Sequence, residues 1–276
     1  MKRFALPVAA AGAVVCSCAL ALAGGASGAS SLPMLNLALT GASGVSVSGS
    51  EVSGAVNIVT TFKGSVPRGG NGPSFALVRL NPGATFQQAF GAVQAAHGDL
   101  NAITPYAALL VSGGPGGTQA VLTPGRWVAL NVTGNGKPAV QPFTVTQSSS
   151  PAALPAANAT ETAIEFGFHG PTVLHQGKIL REVNGGWLVH MDTFIGVKSK
   201  AAGEAAMVLL RAGKDNKAGK YFTNSFFGSG PVTHGGMQQQ IMNAKPGYYV
   251  EACFMDTQDR REHTQVGMER LVRVVK

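Results

Sequence analysis

The sequence has little cysteine, little charge and few aromatic residues. Two of its three cysteines, Cys16 and Cys18, lie in an apolar segment at the start of the chain. If that segment is removed on export, Cys253 remains alone, which excludes a scaffold held by internal disulfides. Charged residues make up 12% of the chain, and its many valines, threonines and glycines come with few leucine-rich heptads. This composition favours an all-β protein.

Motifs for binding phosphate or nucleotides are also absent, as are pairs of glutamates suited to acid/base catalysis. The glycine-rich loop at 113–117 has no lysine and no predicted helix after it, so we interpret it as a turn. Basic residues exceed acidic ones by eight, or by about six without Lys2 and Arg3. They are not interleaved with aromatic residues, so no nucleic acid partner is predicted. The excess suits a solvated face, an acidic partner or an anionic surface.

The first thirty residues predict an export signal. Lys2 and Arg3 precede an apolar run over residues 4–23, and small residues around Ala23 and Ala29 offer cleavage sites. We therefore predict that residues 1–30 are a cleaved signal peptide and that the mature chain is secreted or periplasmic, with no transmembrane segment. A lipid anchor at Cys18 is the less favoured alternative, because an apolar run follows that residue where a soluble tether would be expected.

Short alternating runs separated by Gly, Pro and Asn predict two β domains. Strands in the first half are predicted at 45–52, 56–62, 75–80, 107–111, 118–122, 127–132 and 141–145, with one helix at 85–96. Strands in the second half are predicted at 162–168, 179–183, 190–197, 238–242, 248–254 and 271–275, with one helix at 201–211. Ser, Pro and Ala dominate residues 148–157, which predicts a linker between domains at 31–147 and 158–276.

The similarity between the sequences of the two halves predicts a tandem duplication. Residues 122–131 align with 244–253 without a gap, around a shared Pro-Gly and an apolar strand. In this alignment the first half has other residues in place of the thiol and imidazoles of the second: Asn131 for Cys253, Ser74 for His190, and Ala139 near the place of His263. We therefore predict that any metal site lies in the second half only.

Four side chains of the second half form a candidate set of metal ligands: His190, Cys253, His263 and Met268. Cys253 lies in a predicted strand, and His263 and Met268 follow it on the way to the last strand. A thiolate, two imidazoles and a thioether suit copper, and a His₂Cys set with a weak axial Met is typical of an electron-transfer centre. His190 is our choice for the second histidine, with His234 as the alternative.

These motifs resemble the cupredoxins, the plastocyanin-like blue copper family, and exported bacterial cupredoxin-like proteins. The resemblance is carried by the Pro-Gly-Tyr-Tyr strand before Cys253, the step from His263 to Met268, and the segment from Asn184 to His190. It implies two tandem Greek-key β-sandwiches, each with one short helix, the first being a degenerate copy. It also implies one copper ion with His190, Cys253 and His263 as equatorial ligands and Met268 as the axial ligand. Nine residues separate Cys253 from His263, more than is usual in the family, and this longer loop costs closure entropy.

The predicted function is an exported protein with a single type 1-like copper, used for electron transfer or copper handling, with a redox or cell-surface protein as partner. The alternative is a metal-free sandwich that binds a partner at the cell surface, because a lone buried Cys or Met commonly serves packing. An enzyme is not predicted. No His-x-His pair is present for the trinuclear cluster of a multicopper oxidase. Cys253, in an apolar strand with no helix start after it, is a poor nucleophile.

Overall fold

The computed structural model describes residues 31–276, so the predicted signal peptide, with Cys16 and Cys18, lies outside the described residues. The strands of the first half are Met34–Thr40 (β1), Gly44–Gly49 (β2), Gly54–Lys63 (β3), Phe75–Leu80 (β4), Ala107–Gly113 (β5), Gly116–Leu122 (β6), Gly125–Asn131 (β7) and Ala139–Val145 (β8). Those of the second half are Ala159–Ile164 (β9), Gly167–His169 (β10), Val173–His175 (β11), Ile179–Asn184 (β12), Thr193–Val197 (β13), Phe222–Gly228 (β14), Met237–Ile241 (β15), Gly247–Ala252 (β16) and Glu269–Val275 (β17). The α-helices are Phe86–Ala95 (α1), Lys200–Arg211 (α2) and Asp215–Ala218 (α3), and short 3-10 helices occur at Leu100–Ile103, Gly219–Tyr221 and His263–Val266.

The strands form three sheets. An eight-stranded sheet, in the order β10-β9-β12-β15-β6-β3-β1-β2, contains strands of both halves. A four-stranded sheet, β5-β4-β7-β8, packs on its first-half strands, and a five-stranded sheet, β11-β17-β16-β13-β14, packs on its second-half strands. The prediction of an all-β chain built from sandwiches is confirmed. The exact boundary at 148–157 stays a prediction.

The core of the first sandwich follows from the alternation of apolar and polar residues along its strands. Leu35, Leu37 and Leu39 point inward from β1 and are at most 1% exposed, while the residues between them face outward or lie half-buried. Trp127 enters the same core from the opposing sheet, and its indole N–H donates to the carbonyl of Thr123 at 2.9 Å. The hydrogen bond satisfies the one polar atom of a fully buried ring.

Each sandwich carries an α-helix on the outer face of its smaller sheet. In α1, Ala89 is buried against Val78 and Val128 of the four-stranded sheet. In α2, Ala206 and Leu210 are buried against the five-stranded sheet. Both helices lie where the sequence predicts them, and α3 adds a single turn after α2. Within residues 31–276, no helix is long and apolar enough to cross a membrane.

Thr85→Ala is expected to lower the free energy of unfolding by about 1 kcal/mol. Thr85 Oγ1 accepts from the backbone N–H of Gln88 at 3.2 Å, and Gln88 Oε1 accepts from the backbone N–H of Thr85 at 2.9 Å. This reciprocal cap satisfies two N–H groups at the start of α1. Urea unfolding measures the loss. Gln87→Ala, an exposed change in the same turn without a cap, is the control, and an equal loss in both variants would contradict the prediction.

The two halves meet through a short seam of the long sheet. Gln238 and Gln239 of β15 pair with Ala120 and Gln119 of β6. Gln238 also bridges to Ser112 of the first half: its Oε1 accepts from the Ser112 N–H at 2.9 Å, and its Nε2 donates to the Ser112 carbonyl at 3.0 Å. The side chain of Gln238 is buried. Buried hydrogen bonds therefore join the two halves, and such bonds specify the geometry of the contact.

The register of the sheets corrects one detail of the predicted duplication. The β16–β17 ladder continues through a hydrogen bond from the Cys253 N–H to the Met268 carbonyl at 3.2 Å, so these residues lie opposite each other. In the first half, Asn131 lies opposite Ala139 in the β7–β8 ladder. Ala139 therefore takes the place of Met268 and not that of His263.

Asn131, which stands in the place of Cys253, has a structural task in the first half. Its side-chain amide donates to the carbonyls of Gly41 and Gly44 at 2.9 and 2.7 Å, and its Oδ1 accepts from the Thr133 N–H at 3.1 Å. The position thus ties a turn of the first sandwich to its central strand.

Candidate metal centre

Cys253 lies directly after β16 and is fully buried. Its strand is apolar and aromatic because it is the central strand of the five-stranded sheet, covered by α2 on one face and by the sandwich core on the other. The thiol accepts a hydrogen bond from the Met191 N–H at 3.4 Å. Burial raises the pKa of the Cys253 thiol to about 12, so it keeps its proton at neutral pH unless a cation displaces it.

His263 reaches Cys253 because the long loop between them closes on itself. Asp256 and Glu262 form an isolated bridge, and the Thr257 N–H donates to the Arg261 carbonyl at 2.8 Å. Next to this bridge, the His263 N–H donates to the Met255 carbonyl at 2.8 Å. Residues 256–262 therefore form a closed side loop, whose two ends are paired with each other. As a result, His263 lies next to Met255 in the structure. The unusual spacing noted in the sequence does not separate the two side chains.

His190 lies on the segment between β12 and β13. The sequence predicts that a strand starts at His190, but β13 starts at Thr193, and His190 instead forms an isolated bridge with Val232. The loop before it is held by Asn184, whose amide donates to the carbonyls of Leu188 and Val232 at 2.8 Å each. The Asn184 to His190 segment is thus a folded loop that delivers one imidazole to the core.

Three of the four predicted ligands meet at one point. The Nδ1 atoms of His190 and His263 are 3.2 Å apart, and Cys253 Sγ lies 3.8 Å from the first and 3.2 Å from the second. All three side chains are at most 1% exposed. Ligand atoms about 2.0–2.3 Å from a shared metal ion are separated from each other by about 3.2–3.8 Å. The donor set therefore fits a soft or borderline metal ion without rearrangement.

The protonation states also suit a metal ion. Burial, with the neighbouring His263, lowers the pKa of His190 to about 4, and burial lowers the pKa of His263 to about 4. Both rings are therefore neutral at pH 7 and can offer a lone pair. The Nε2 atoms of both rings are buried and find no hydrogen-bond partner among residues 31–276. Each Nδ1 thus faces the thiol while each Nε2 points away from it.

Glu165 and Phe166 cover the cluster from the turn between β9 and β10. Glu165 Oε1 accepts from the backbone N–H groups of Trp187 and Leu188 and lies 3.8 Å from His190 Nε2. Phe166 makes an edge-to-face contact with the His263 ring at a centroid distance of 5.3 Å. Phe166 adopts a left-handed backbone conformation with φ of 61°, which sets the turn that presents both side chains.

Met268, the predicted axial ligand, is fully buried in the same apolar cluster as Cys253. Met191 and Met255 pack against this cluster as well. Sequence reasoning missed these two thioethers, although they follow His190 and Cys253 by one and two positions. Three flexible sulfur side chains thus surround the thiol and the imidazoles.

His234, the alternative to His190, lies outside the cluster. Its Nδ1 atom is 2.8 Å from the Gly186 carbonyl, and its ring stacks on Trp187 at a centroid distance of 4.8 Å. Trp187 is 78% exposed, so this pair marks the protein surface near the His190 loop. The structure therefore places His190, and not His234, beside Cys253.

A network of buried carboxyl groups fills the second sandwich next to the cluster and was not predicted. Its members are Glu161, Glu182, Asp192 and Glu251, all at most 5% exposed. Arg270 donates to Glu251 Oε2 at 2.5 Å and to Glu161 Oε2. Single glutamates at inward positions of three different strands leave no local sequence pattern. Only the register of the strands brings them together.

Glu182→Gln is expected to weaken the pH dependence of stability. Burial raises the pKa of Glu182 to about 8 in the folded protein, from a usual value of 4.5. The folded state therefore favours the neutral form, and this contribution is present below pH 4.5 and is lost as the pH rises through 8. We expect the free energy of unfolding of the wild type to fall between pH 5 and pH 9, and we expect this fall to be about 4 kcal/mol smaller in the variant.

Glu204→Gln on the exposed face of α2 is the matched control and should follow the wild-type curve. Parallel curves for Glu182→Gln and the wild type would show that this carboxyl ionises normally in the folded state.

No protein-family model matches the sequence, and no curated protein matches it. Solved structures similar to it are blue copper proteins and multicopper oxidases. Auracyanin A, a blue copper protein of Chloroflexus aurantiacus, aligns with 42% of this chain and 99% of its own, at 14% identity and a TM-score of 0.24. A multicopper oxidase aligns with 88% of this chain and 88% of its own, at 12% identity and a TM-score of 0.25. The multicopper oxidase of Campylobacter jejuni aligns with 80% of this chain and 53% of its own, at 9% identity and a TM-score of 0.25.

The resemblance to cupredoxins predicted from the sequence is thus found again when structures are compared. At these identities and TM-scores it concerns the fold and assigns no activity to this chain. The His190, Cys253 and His263 side chains form a group that could hold a metal ion.

The prediction that the chain is not an enzyme is corrected by the same comparison. The proteins that align with 80 to 88% of the chain are multicopper oxidases, which are enzymes. The lack of a His-x-His pair is therefore not a sufficient reason to exclude enzymatic activity.

Proposed function

We propose that the second sandwich binds one copper ion through His190, Cys253 and His263, with Met268 as the axial ligand. The observation that carries this proposal is the convergence of a thiol and two imidazole Nδ1 atoms within 3.8 Å of each other in a fully buried cluster.

The chain's own residues favour copper among metals. One thiol, two imidazoles and neighbouring thioethers are soft or intermediate donors, which select copper or zinc over magnesium, calcium or manganese, and such a site binds Cu²⁺ more tightly than Zn²⁺. When bound, copper would supply a one-electron couple. The neutral imidazoles and the thiolate would hold both oxidation states, and the apolar cover of Phe166 and Phe168 excludes water from the site.

Electron transfer is the role that this setting supports best, with copper handling as the second. The ligands come from the ends of packed strands and from loops closed by backbone hydrogen bonds, so they have little freedom to move when the charge of the centre changes. A rigid, dry site keeps reorganisation small. The proposed partner is a redox or cell-surface protein, and the proposed location is outside the cytoplasm after cleavage of residues 1–30.

Titration with copper tests the proposal. The full chain carrying Cys16→Ser and Cys18→Ser keeps Cys253 as its one thiol, and we expect one equivalent of Cu(II) to produce an intense visible thiolate-to-copper band. Adding Cys253→Ser should remove the band. A reversible couple in voltammetry supports electron transfer, and Cu(I) binding without one supports copper handling. A fully titratable free thiol with no band and no bound copper would leave a metal-free sandwich.

Export has its own test. Expression with residues 1–30 intact, followed by N-terminal sequencing of the extracytoplasmic fraction, is expected to show a mature chain that begins after Ala23 or Ala29. An intact Met1 on cytoplasmic protein would contradict it.

A further inference from the structure

The segment that carries His190 is held in place by the first half of the chain. His190 and Val232 exchange two backbone hydrogen bonds, at 3.1 Å from the His190 N–H and 2.8 Å from the Val232 N–H. Immediately before His190, the Val189 N–H donates to Asn101 Oδ1 at 2.7 Å. Asn101 belongs to the first sandwich, 88 positions earlier in the chain. The backbone next to a candidate ligand is thus fixed by a side chain from the other half.

Asn101 is itself oriented by its neighbour. Asp99 Oδ1 accepts from the backbone N–H of Asn101 and from its Nδ2, both at 2.8 Å. Asp99 is also the N-cap of the 3-10 helix Leu100–Ile103. With the amide nitrogen engaged by Asp99, the amide oxygen faces Val189. The orientation is therefore specified and does not depend on Val189 alone.

A second contact holds the other side of the same bridge. Thr233, which follows Val232, donates from its N–H and its Oγ1 to the carbonyl of Leu109 in β5 at 2.8 and 3.1 Å. Pro231, which precedes Val232, accepts from Ser112 Oγ at 2.7 Å. The first half thus bonds to both strands of the bridge, and the Val189 contact is the one adjacent to the imidazole.

We propose that Asn101 is a positioning residue for the metal centre: it fixes the Val189–His190 backbone so that the imidazole meets Cys253 and His263. This inference rests on the proposed function, because it is as a copper ligand that His190 needs this placement. It gives the first half, which lacks ligands, a part in the site. Misplacing a ligand by a fraction of an ångström changes the geometry of a metal site and hence its spectrum.

Asn101→Ala tests the inference in the full chain with Cys16→Ser and Cys18→Ser. Asn135→Ala is the matched control, because Asn135 is an exposed asparagine of the same half whose amide donates to the Gly69 carbonyl at 2.8 Å, away from the cluster. Two readouts need no metal: hydrogen exchange of the Val189 amide, and the proton contact between the His190 and His263 rings, whose centroids are 4.9 Å apart. The third readout is the copper band.

In Asn101→Ala we expect exchange at Val189 to accelerate about 5- to 10-fold, the worth of one hydrogen bond. We also expect a weakened ring-to-ring contact and a shifted, weaker copper band. Asn135→Ala should match the parent in all three. Wild-type exchange and ring contact in Asn101→Ala, or an unchanged band, would overturn the inference. If the parent itself shows no band, the proposed function fails, and the two metal-free readouts still decide whether Asn101 places the His190 ring.

Discussion

His190→Ala is expected to abolish the intense visible band of the copper-loaded protein and to lower its copper affinity by ~100-fold or more. The substitution removes one of three converging donors and leaves a buried space where the imidazole lay. The remaining thiol and the His263 ring cannot complete a His₂Cys set. His234 cannot take over, since it is stacked on Trp187 at the surface with its Nδ1 against the Gly186 carbonyl.

His234→Ala is the matched control and should keep both the band and the affinity. Competition with a chelator of known copper affinity measures the two constants, and absorption gives the band. Equal losses in the two variants would show that copper contacts His234 in solution. An intact band in His190→Ala would remove His190 from the proposed ligand set.

Arg270→Met is expected to lower the free energy of unfolding by about 3–5 kcal/mol at pH 8. Arg270 is the cation that contacts both Glu161 and Glu251, which are fully buried. Its Nη1 also donates to the carbonyl of Gly170 at 3.0 Å. Methionine fills similar volume but removes the cation that contacts both carboxyl groups, and the fraction of them that is ionised at pH 8 is then a buried charge without a partner.

The loss should shrink at low pH. Burial, with the neighbouring Glu251, raises the pKa of Glu161 to about 8, so below that pH the carboxyl takes up a proton and the missing cation matters less. Arg273→Met, an exposed change three positions along the same strand, should cost at most about 1 kcal/mol. Unfolding by guanidinium chloride at pH 5 and pH 8 measures all three proteins. Adding Glu161→Gln should recover part of the loss, and a pH-independent loss would point to packing as the cause.

Most of the strands that alternate apolar and polar residues were predictable, and so was the convergence of His190, Cys253 and His263. β4 is predicted to the residue, and both main helices are predicted to within one residue at each end. β1, β11 and β14 are not predicted. β11 is only three residues long, and β14 does not alternate regularly between apolar and polar residues. β11 and β14 exist because neighbouring strands supply their hydrogen bonds, which sequence periodicity does not report. β1 was missed although Leu35, Leu37 and Leu39 alternate along it.

For the candidate site, the residue types were sufficient to predict which side chains meet. The backbone contacts that hold them in place were not predicted. Cys253, His263 and His190 are recognisable because a thiol and imidazoles are rare in this chain. The bridge between Asp256 and Glu262 and the contact between Asn101 and Val189 depend on pairings between distant segments. The sequence alone does not give the strand register, so it cannot predict these pairings. The buried carboxyl network was missed for the same reason.

The position of His263 does not depend on the length of the closed side loop at residues 256–262. Because its two ends are joined next to His263, residues added or removed at the tip around Arg260 leave the ligand where it is. That tip is exposed and polar, in contrast to the buried residues Cys253 and His263 that flank the loop. The sequence at this tip can therefore change without moving the imidazole that follows the loop.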